Sequence, residues 1–168
     1  SSNSFSGFSA EQITTVQLAV QDARSLVDTA ISLCAIAFAM KEPNKTVTSL
    51  RFNFDIDIKR EDPISYAFEA TKLSMLQAAL TKLRAGLQQD VPFVYHPEPG
   101  FPEAWVVGTQ DPTVHIKPYF FDANFKTPLT RAATILHERA HTVLNAPGHP
   151  GIGDGGGQMI GNHPQPLE

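Results

Sequence analysis

The 168-residue sequence is poor in cysteine, in positive charge and in long apolar runs. Its one cysteine, Cys34, excludes an internal disulfide, and with it the class of small secreted proteins that disulfides hold together. The formal charge is −4 and the basic residues are scattered, which argues against nucleic acid as a partner. The most apolar run, residues 30–40, is shorter than the ~20 residues that a membrane-spanning helix needs, so no membrane partner is expected.

The apolar residues that are present predict three helices in a single domain over residues 1–168. Steps of three and four residues predict a first helix from Ser9, as N-cap, to Met40, and a second over residues 64–89. A third is predicted to end near Asn145, with Thr127 or Thr130 as its cap and Pro128 in its first turn. Cys34 lies in the apolar part of the first helix and is expected to be a small core residue.

The remaining segments predict a small sheet and an irregular tail, and so an α+β fold. Apolar and polar residues alternate over residues 46–58, which favours a strand. Three apolar runs, at residues 91–96, 103–108 and 113–121, are separated by proline and glycine and predict further strands. Residues 148–168 are too rich in glycine and proline to predict regular structure.

The third predicted helix carries the pattern H-E-x-x-H in His137, Glu138 and His141. The two histidines are one helical turn apart on one face, so both imidazoles can bind one tetrahedral Zn²⁺ ion. Zinc makes a water molecule more acidic, and the neighbouring carboxylate can accept its proton and pass it to the leaving amine. Four constraints of residue type and spacing coincide here, which disfavours a chance arrangement on an ordinary helix face.

A catalytic zinc also needs a third protein ligand, and the candidates follow the helix. His149, Asp154 and His163 all lie in the glycine-rich tail. The metzincin spacing is excluded, because Leu144 stands at the position of its glycine and Pro147 at that of its third ligand.

The motif together with "GIGDGGGQ" at residues 151–158 resembles the aspzincins, which include deuterolysin and the peptidyl-Lys metalloendopeptidases. In that family H-E-x-x-H is followed by G-T-x-D-x-x-Y-G. Gly151 and Asp154 match this second pattern, whereas Ile152 replaces the threonine and Gly157 the tyrosine. The resemblance, most specific over residues 113–156, implies a zincin-like metalloprotease domain with Asp154 as the third zinc ligand. His149 is the alternative ligand.

The tyrosine that is missing from the second pattern leaves open which residue stabilises the oxyanion that forms when water attacks the peptide carbonyl. In the family this tyrosine donates a hydrogen bond to the developing charge, and Gly157 cannot do so. Tyr95, Tyr119 or His115 could take that role, although a strand histidine is more often a surface or core residue. Trp105 is expected to pack in the core or at the edge of the cleft.

These observations predict a zinc metalloendopeptidase that acts on a protein or peptide substrate. The absence of disulfides and the resemblance together favour a secreted or delivered protein, such as a bacterial toxin effector. The chain would then be a catalytic module cut from a larger protein. An inhibitor or immunity protein is a possible partner in that context. One alternative is a catalytically silent protein-binding domain with a structural zinc site. In such a site all four ligands come from the protein, here His137, His141, His149 and Asp154. Another is a zinc hydrolase acting on a non-peptide amide.

Overall fold

Three helices and a small mixed sheet form the fold, as the computed structural model shows for residues 3–39, 63–145, 158–160 and 163–165. The helices are α1 Ala10–Ala39, α2 Pro63–Leu87 and α3 Pro128–Val143, and a 3-10 helix spans Pro118–Phe121. The strands are β1 Ser4–Ser6, β2 Pro92–Tyr95, β3 Ala104–Trp105, β4 Val114–Ile116, β5 Gln158–Ile160 and β6 His163–Gln165. Within these ranges no helix combines the length and the apolar character required to cross a bilayer.

The predicted helices are confirmed, and local hydrogen bonds explain where they begin. At the start of α1 the Ser9 hydroxyl accepts from the Gln12 backbone N–H at 3.2 Å, while the Gln12 side chain accepts from the Ser9 N–H at 2.9 Å. This reciprocal pair is a capping box, so Ser9 is the N-cap that the sequence predicts. Helix α2 ends at Leu87, two residues before the predicted end, and the Leu87 carbonyl accepts a hydrogen bond from Arg24 at 2.7 Å.

The four-stranded sheet has the order β1-β2-β4-β3. Strands β1, β2 and β4 are parallel, and β3 runs antiparallel to β4 at one edge. The sequence does not predict β1, because three residues with one apolar side chain carry no periodicity. That side chain, Phe5, stacks on Phe93 of β2 with ring centroids 5.3 Å apart, and this contact holds the strand in place.

Two predictions about strands are wrong in part. The run at residues 113–121 is not one strand, since the chain turns into the 3-10 helix at Pro118, which has no N–H to donate to a ladder. The tail is not wholly irregular, because β5 and β6 pair antiparallel. The strand predicted over residues 46–58 lies outside the described residues.

The core lies between the helices and one face of the four-stranded sheet. In β4 the side chains of Val114 and Ile116 are fully buried while His115 between them is not, so His115 belongs to the opposite face. Cys34 is buried as predicted, and burial raises the pKa of its thiol, which keeps it protonated and unreactive. Helices α2 and α3 approach closely at Gly86, where a Cβ atom would lie 2.4 Å from a methyl carbon of Val143.

Candidate functional site

Helix α3, which carries the H-E-x-x-H pattern, has well-defined ends. Both threonines proposed as caps contribute, because the Thr127 hydroxyl accepts from the Thr130 N–H at 3.2 Å and the Thr130 hydroxyl accepts from the Thr127 N–H at 2.8 Å. Pro128 occupies the first turn. At the other end Asn145 has a φ of 51°, the left-handed conformation that asparagine tolerates and that ends a helix. The local sequence therefore fixes the motif within one helix.

The structure brings His137, Glu138 and His141 together in the buried part of α3. Their exposed fractions are only 4%, 5% and 4%. The two imidazole rings are perpendicular, at 89°, with centroids 4.9 Å apart, and His137 Nε2 lies 4.0 Å from Glu138 Oε1. Two imidazoles that bind one zinc through bonds of about 2.0–2.1 Å at a near-tetrahedral angle have centroids about 5 Å apart. The spacing of the pair thus fits a shared zinc ion.

The proposed third ligands follow α3 in the glycine-rich tail. Asp154 and His149 lie outside the described residues, and of His163 only the backbone, at the start of β6, is described. In the part of the chain that the structure describes, no three histidine, cysteine, aspartate or glutamate side chains are arranged to hold a metal. The complete set of zinc ligands stays a prediction.

His115, one of the proposed oxyanion donors, is engaged with its neighbours in the sheet. Its Nδ1 lies 2.9 Å from His96 Nε2, within hydrogen-bond distance, and its ring stacks on Trp105 with centroids 5.0 Å apart. Partial burial, and after it the proximity of His96, lower the pKa of His115, whereas Asp111 acts in the opposite direction. Trp105 is half-buried and packs in this cluster on the sheet face that lies opposite the core.

The two tyrosines proposed for the same role lie in separate aromatic clusters. Tyr95 packs against Phe8 and Phe121, with centroid distances of 5.3 and 6.0 Å. Tyr119 lies between Phe101 and Phe125, with centroid distances of 4.7 and 4.8 Å. Each tyrosine is thus held by apolar ring contacts, and which residue meets the oxyanion stays a prediction.

A partly buried ion pair next to the motif is not predicted from the sequence. The Lys126 ammonium group donates to Glu103 and, at 2.9 Å, to Thr134, and the Thr134 hydroxyl donates to Glu103 at 2.6 Å. Thr134 precedes His137 by three residues on α3, and Glu103 immediately precedes β3. The three residues therefore connect the edge strand to the helix turn before the motif. They are far apart in sequence, and each one alone is typical of an exposed position.

Arg139 is a second residue that the sequence analysis does not single out. It follows Glu138 directly, is only 3% exposed, and donates from Nη2 to the Gly86 carbonyl at 2.9 Å. Burial lowers the pKa of its guanidinium from the ordinary value. Arg139 thereby ties α3 to the last turn of α2 on the side of α3 that lies away from the two histidines.

Comparison with known proteins supports the fold. No family model and no curated protein sequence matches this chain. Among solved structures it is similar to a zinc peptidase from Grifola frondosa, with a TM-score of 0.62 and 16% sequence identity. The similarity covers 84% of this chain and 77% of that one. The α+β fold predicted from the resemblance to zincin-like peptidases is therefore that of a solved zinc peptidase.

Proposed function

We propose that this chain is a zinc-dependent endopeptidase with His137 and His141 as zinc ligands and Glu138 as the general base. The perpendicular imidazoles of the two histidines, 4.9 Å apart on one buried helix face, carry this proposal. The zinc peptidase fold over most of the chain supports it, and so does the resemblance of the second motif to that of the aspzincins. Asp154 is the proposed third ligand, and His149 the alternative.

The chemistry divides between the metal and the side chains of the chain. A zinc ion, when bound, supplies the Lewis acidity that activates water and polarises a peptide carbonyl. Glu138, buried beside His137, would take the proton from the attacking water and deliver it to the leaving amine. The surrounding apolar core limits bulk water, which strengthens the electrostatic effect of each of these groups.

The burial of the motif favours this role over that of an ordinary helix face. Histidine and glutamate side chains are rarely buried unless they are paired or bind a metal, because the loss of hydration is costly. Here three of them are buried within five consecutive residues of α3. A solvated helix face with coincidental histidines would leave these side chains exposed.

The proposal is tested by zinc content and casein cleavage, measured on the same preparations of the purified protein. We expect about one zinc per chain in the wild type, retained zinc with cleavage lowered by about 1000-fold or more in Glu138→Gln, and loss of both in Asp154→Ala. Glu98→Gln is a matched control, since Glu98 is an exposed glutamate remote in sequence from the motif. It should leave zinc content and cleavage unchanged.

Two outcomes would contradict parts of the proposal. Stoichiometric zinc without cleavage of casein, or of any peptide in a mixed library, would favour the closed structural site of a protein-binding domain. Loss of zinc in His149→Ala but not in Asp154→Ala would assign the third ligand to His149. The secreted or effector context, with an inhibitor or immunity protein as partner, is a further proposal that rests on the resemblance and on the single cysteine.

A further inference from the structure

Strand β3 has little apolar anchorage to the rest of the molecule. It consists of two residues, of which Ala104 contributes a single methyl group to the core and Trp105 belongs to the opposite face of the sheet. Among the described strands its backbone pairs with β4 alone. The strand nevertheless packs against α3, the helix that carries the H-E-x-x-H pattern. A contact other than apolar burial is needed to hold β3 at a fixed position on this helix.

Glu103, directly before β3, is held through both its backbone and its side chain. Its carbonyl accepts from the Lys117 N–H at 2.8 Å, which extends the pairing of β3 with β4. Its carboxylate accepts from the Lys126 ammonium group and, at 2.6 Å, from the Thr134 hydroxyl. Lys126 and Thr134 are more than nine-tenths buried, so water competes little for these contacts. The carboxylate is therefore held more firmly than that of an exposed ion pair.

The Thr134 hydroxyl connects this carboxylate to the motif helix. It donates to Glu103 and accepts from Lys126 at 2.9 Å, so its hydrogen and one of its lone pairs are both used. Thr134 lies on α3 three residues before His137, and side chains three residues apart share a helix face. The position of Glu103, and with it the start of β3, is thus fixed relative to the helix turn that carries the proposed zinc ligands.

We propose that Glu103, Lys126 and Thr134 are positioning residues, which fix strand β3 against α3 and so set the space beside the H-E-x-x-H motif in which a peptide binds. A peptide that reaches a metal at His137 and His141 would lie next to β3. The link acts on substrate binding and not on the metal, because both histidines belong to α3 and keep their spacing if β3 moves. The effect on the substrate rests on the proposed function, whereas the position of β3 does not.

Thr134→Val tests the link, because valine has nearly the shape of threonine without the hydroxyl. Zinc content is measured together with KM and kcat for a fluorogenic peptide built on a casein cleavage site. We expect unchanged zinc, a KM raised about three- to tenfold and a kcat within about twofold of the wild type, since the lost hydrogen bonds hold β3 and not the reacting groups. Thr134→Ser keeps the hydroxyl and should restore KM. Thr142→Val is the matched control on the same helix, because the Thr142 hydroxyl has no hydrogen-bond partner, and it should change nothing.

Trp105, the single tryptophan of the chain, reports on β3 without any substrate. Its ring neighbours His96 and His115 are not altered in Thr134→Val. If this variant releases β3, acrylamide should quench Trp105 fluorescence about 1.5-fold more efficiently than in the wild type, because the strand then opens to solvent more often. Quenching in Thr134→Ser should equal that of the wild type.

A second variant and three outcomes make the test decisive. Glu103→Gln, which keeps the length of the side chain but removes its charge, should change quenching and KM in the same direction as Thr134→Val and by less. Wild-type quenching in Thr134→Val would overturn the proposal, and so would equal changes in Thr134→Val and Thr134→Ser. Altered quenching with an unchanged KM would overturn the role of β3 in substrate binding. A wild type that cleaves no peptide would refute the proposed function, and the quenching of Trp105 would still decide whether the link holds β3.

Discussion

Two pairs of adjacent histidines lie in the part of the chain that the structure describes, and they differ in what the imidazole rings can bind. In α3 the rings of His137 and His141 are perpendicular, with centroids 4.9 Å apart. At the sheet the rings of His96 and His115 have nearly the same centroid distance, 5.0 Å, but an interplanar angle of 46° and ring nitrogens 2.9 Å apart. The sheet pair is arranged as donor and acceptor to each other. Proximity of two histidines is therefore a weak indicator of a metal site, and ring orientation is a better one.

The two pairs also differ in how they could be found in the sequence. His137 and His141 are four residues apart on a helix, so their proximity follows from helix geometry alone. His96 and His115 meet because β2 and β4 are neighbours in the sheet, a consequence of the tertiary fold. A pattern search finds the first pair and cannot find the second.

The largest expected effect separates the two pairs by their affinity for zinc. His141→Ala should weaken zinc binding by more than about 100-fold, because it removes a direct ligand, and should abolish cleavage with it. His96→Ala should leave zinc affinity unchanged. Competition with a chromogenic chelator measures both. If His96→Ala weakened zinc binding and His141→Ala did not, the zinc site would be assigned to His96 and His115 and the assignment to α3 would be refuted.

The second-largest effect concerns the ion pair that supports α3, the helix that carries His137 and His141. Lys126→Met leaves the Glu103 carboxylate beside Thr134 without its cation, and we expect a loss of about 2–3 kcal/mol of unfolding free energy. Urea denaturation monitored by circular dichroism measures it. The double variant Lys126→Met/Glu103→Gln should recover part of the loss, since it removes the uncompensated charge. No recovery would mean that the packing of the Lys126 side chain, and not its charge, is what matters.

A smaller effect is expected at the start of α3. Thr127→Ala removes the hydroxyl that accepts from the Thr130 N–H and should cost about 1 kcal/mol, or roughly 2–4 °C in Tm. Thr81→Ala is the matched control in the exposed interior of α2, where the hydroxyl bonds only to the carbonyl one turn earlier. Equal stability of the two variants would show that the capping box contributes little to the helix that holds the motif.

The smallest effect is a pH dependence of the sheet pair. The pKa of His115 lies below its ordinary value of about 6.5, so the unfolded chain takes up a proton there before the folded protein does. The stability that the neutral His115 ring contributes is fully present above pH 6.5. It is lost as the pH falls through the pKa of His115 in the folded protein. Because the ring is half-exposed, the loss should stay below about 1 kcal/mol. The difference in Tm between pH 8 and pH 5 should be smaller in His115→Gln than in the wild type, and an unchanged difference would contradict this.

Prediction from sequence succeeds where the determinants are local. The caps Ser9 and Thr127 and the left-handed Asn145 lie within a few residues of the helix ends that they determine, so these ends can be predicted from the local sequence. Strand β1 becomes a strand only because Phe5 meets Phe93, far along the chain. The ion pair of Lys126 with Glu103 and the burial of Arg139 likewise depend on which elements become neighbours, which the periodicity of single segments does not encode.

The parallel pairing of β1 with β2 bears on the order of events during synthesis. Ser4 aligns with Pro92, so β1 is translated long before β2, its neighbour in the sheet, exists. Contacts that close so long a loop form slowly, and until then Phe5 and the adjoining aromatic residue Phe8 have no partner in β2. Helix α1 can form early because its cap is local. The sheet can form only after most of the chain has been synthesised. The nascent protein should therefore remain dependent on protection from aggregation until β2 has left the ribosome.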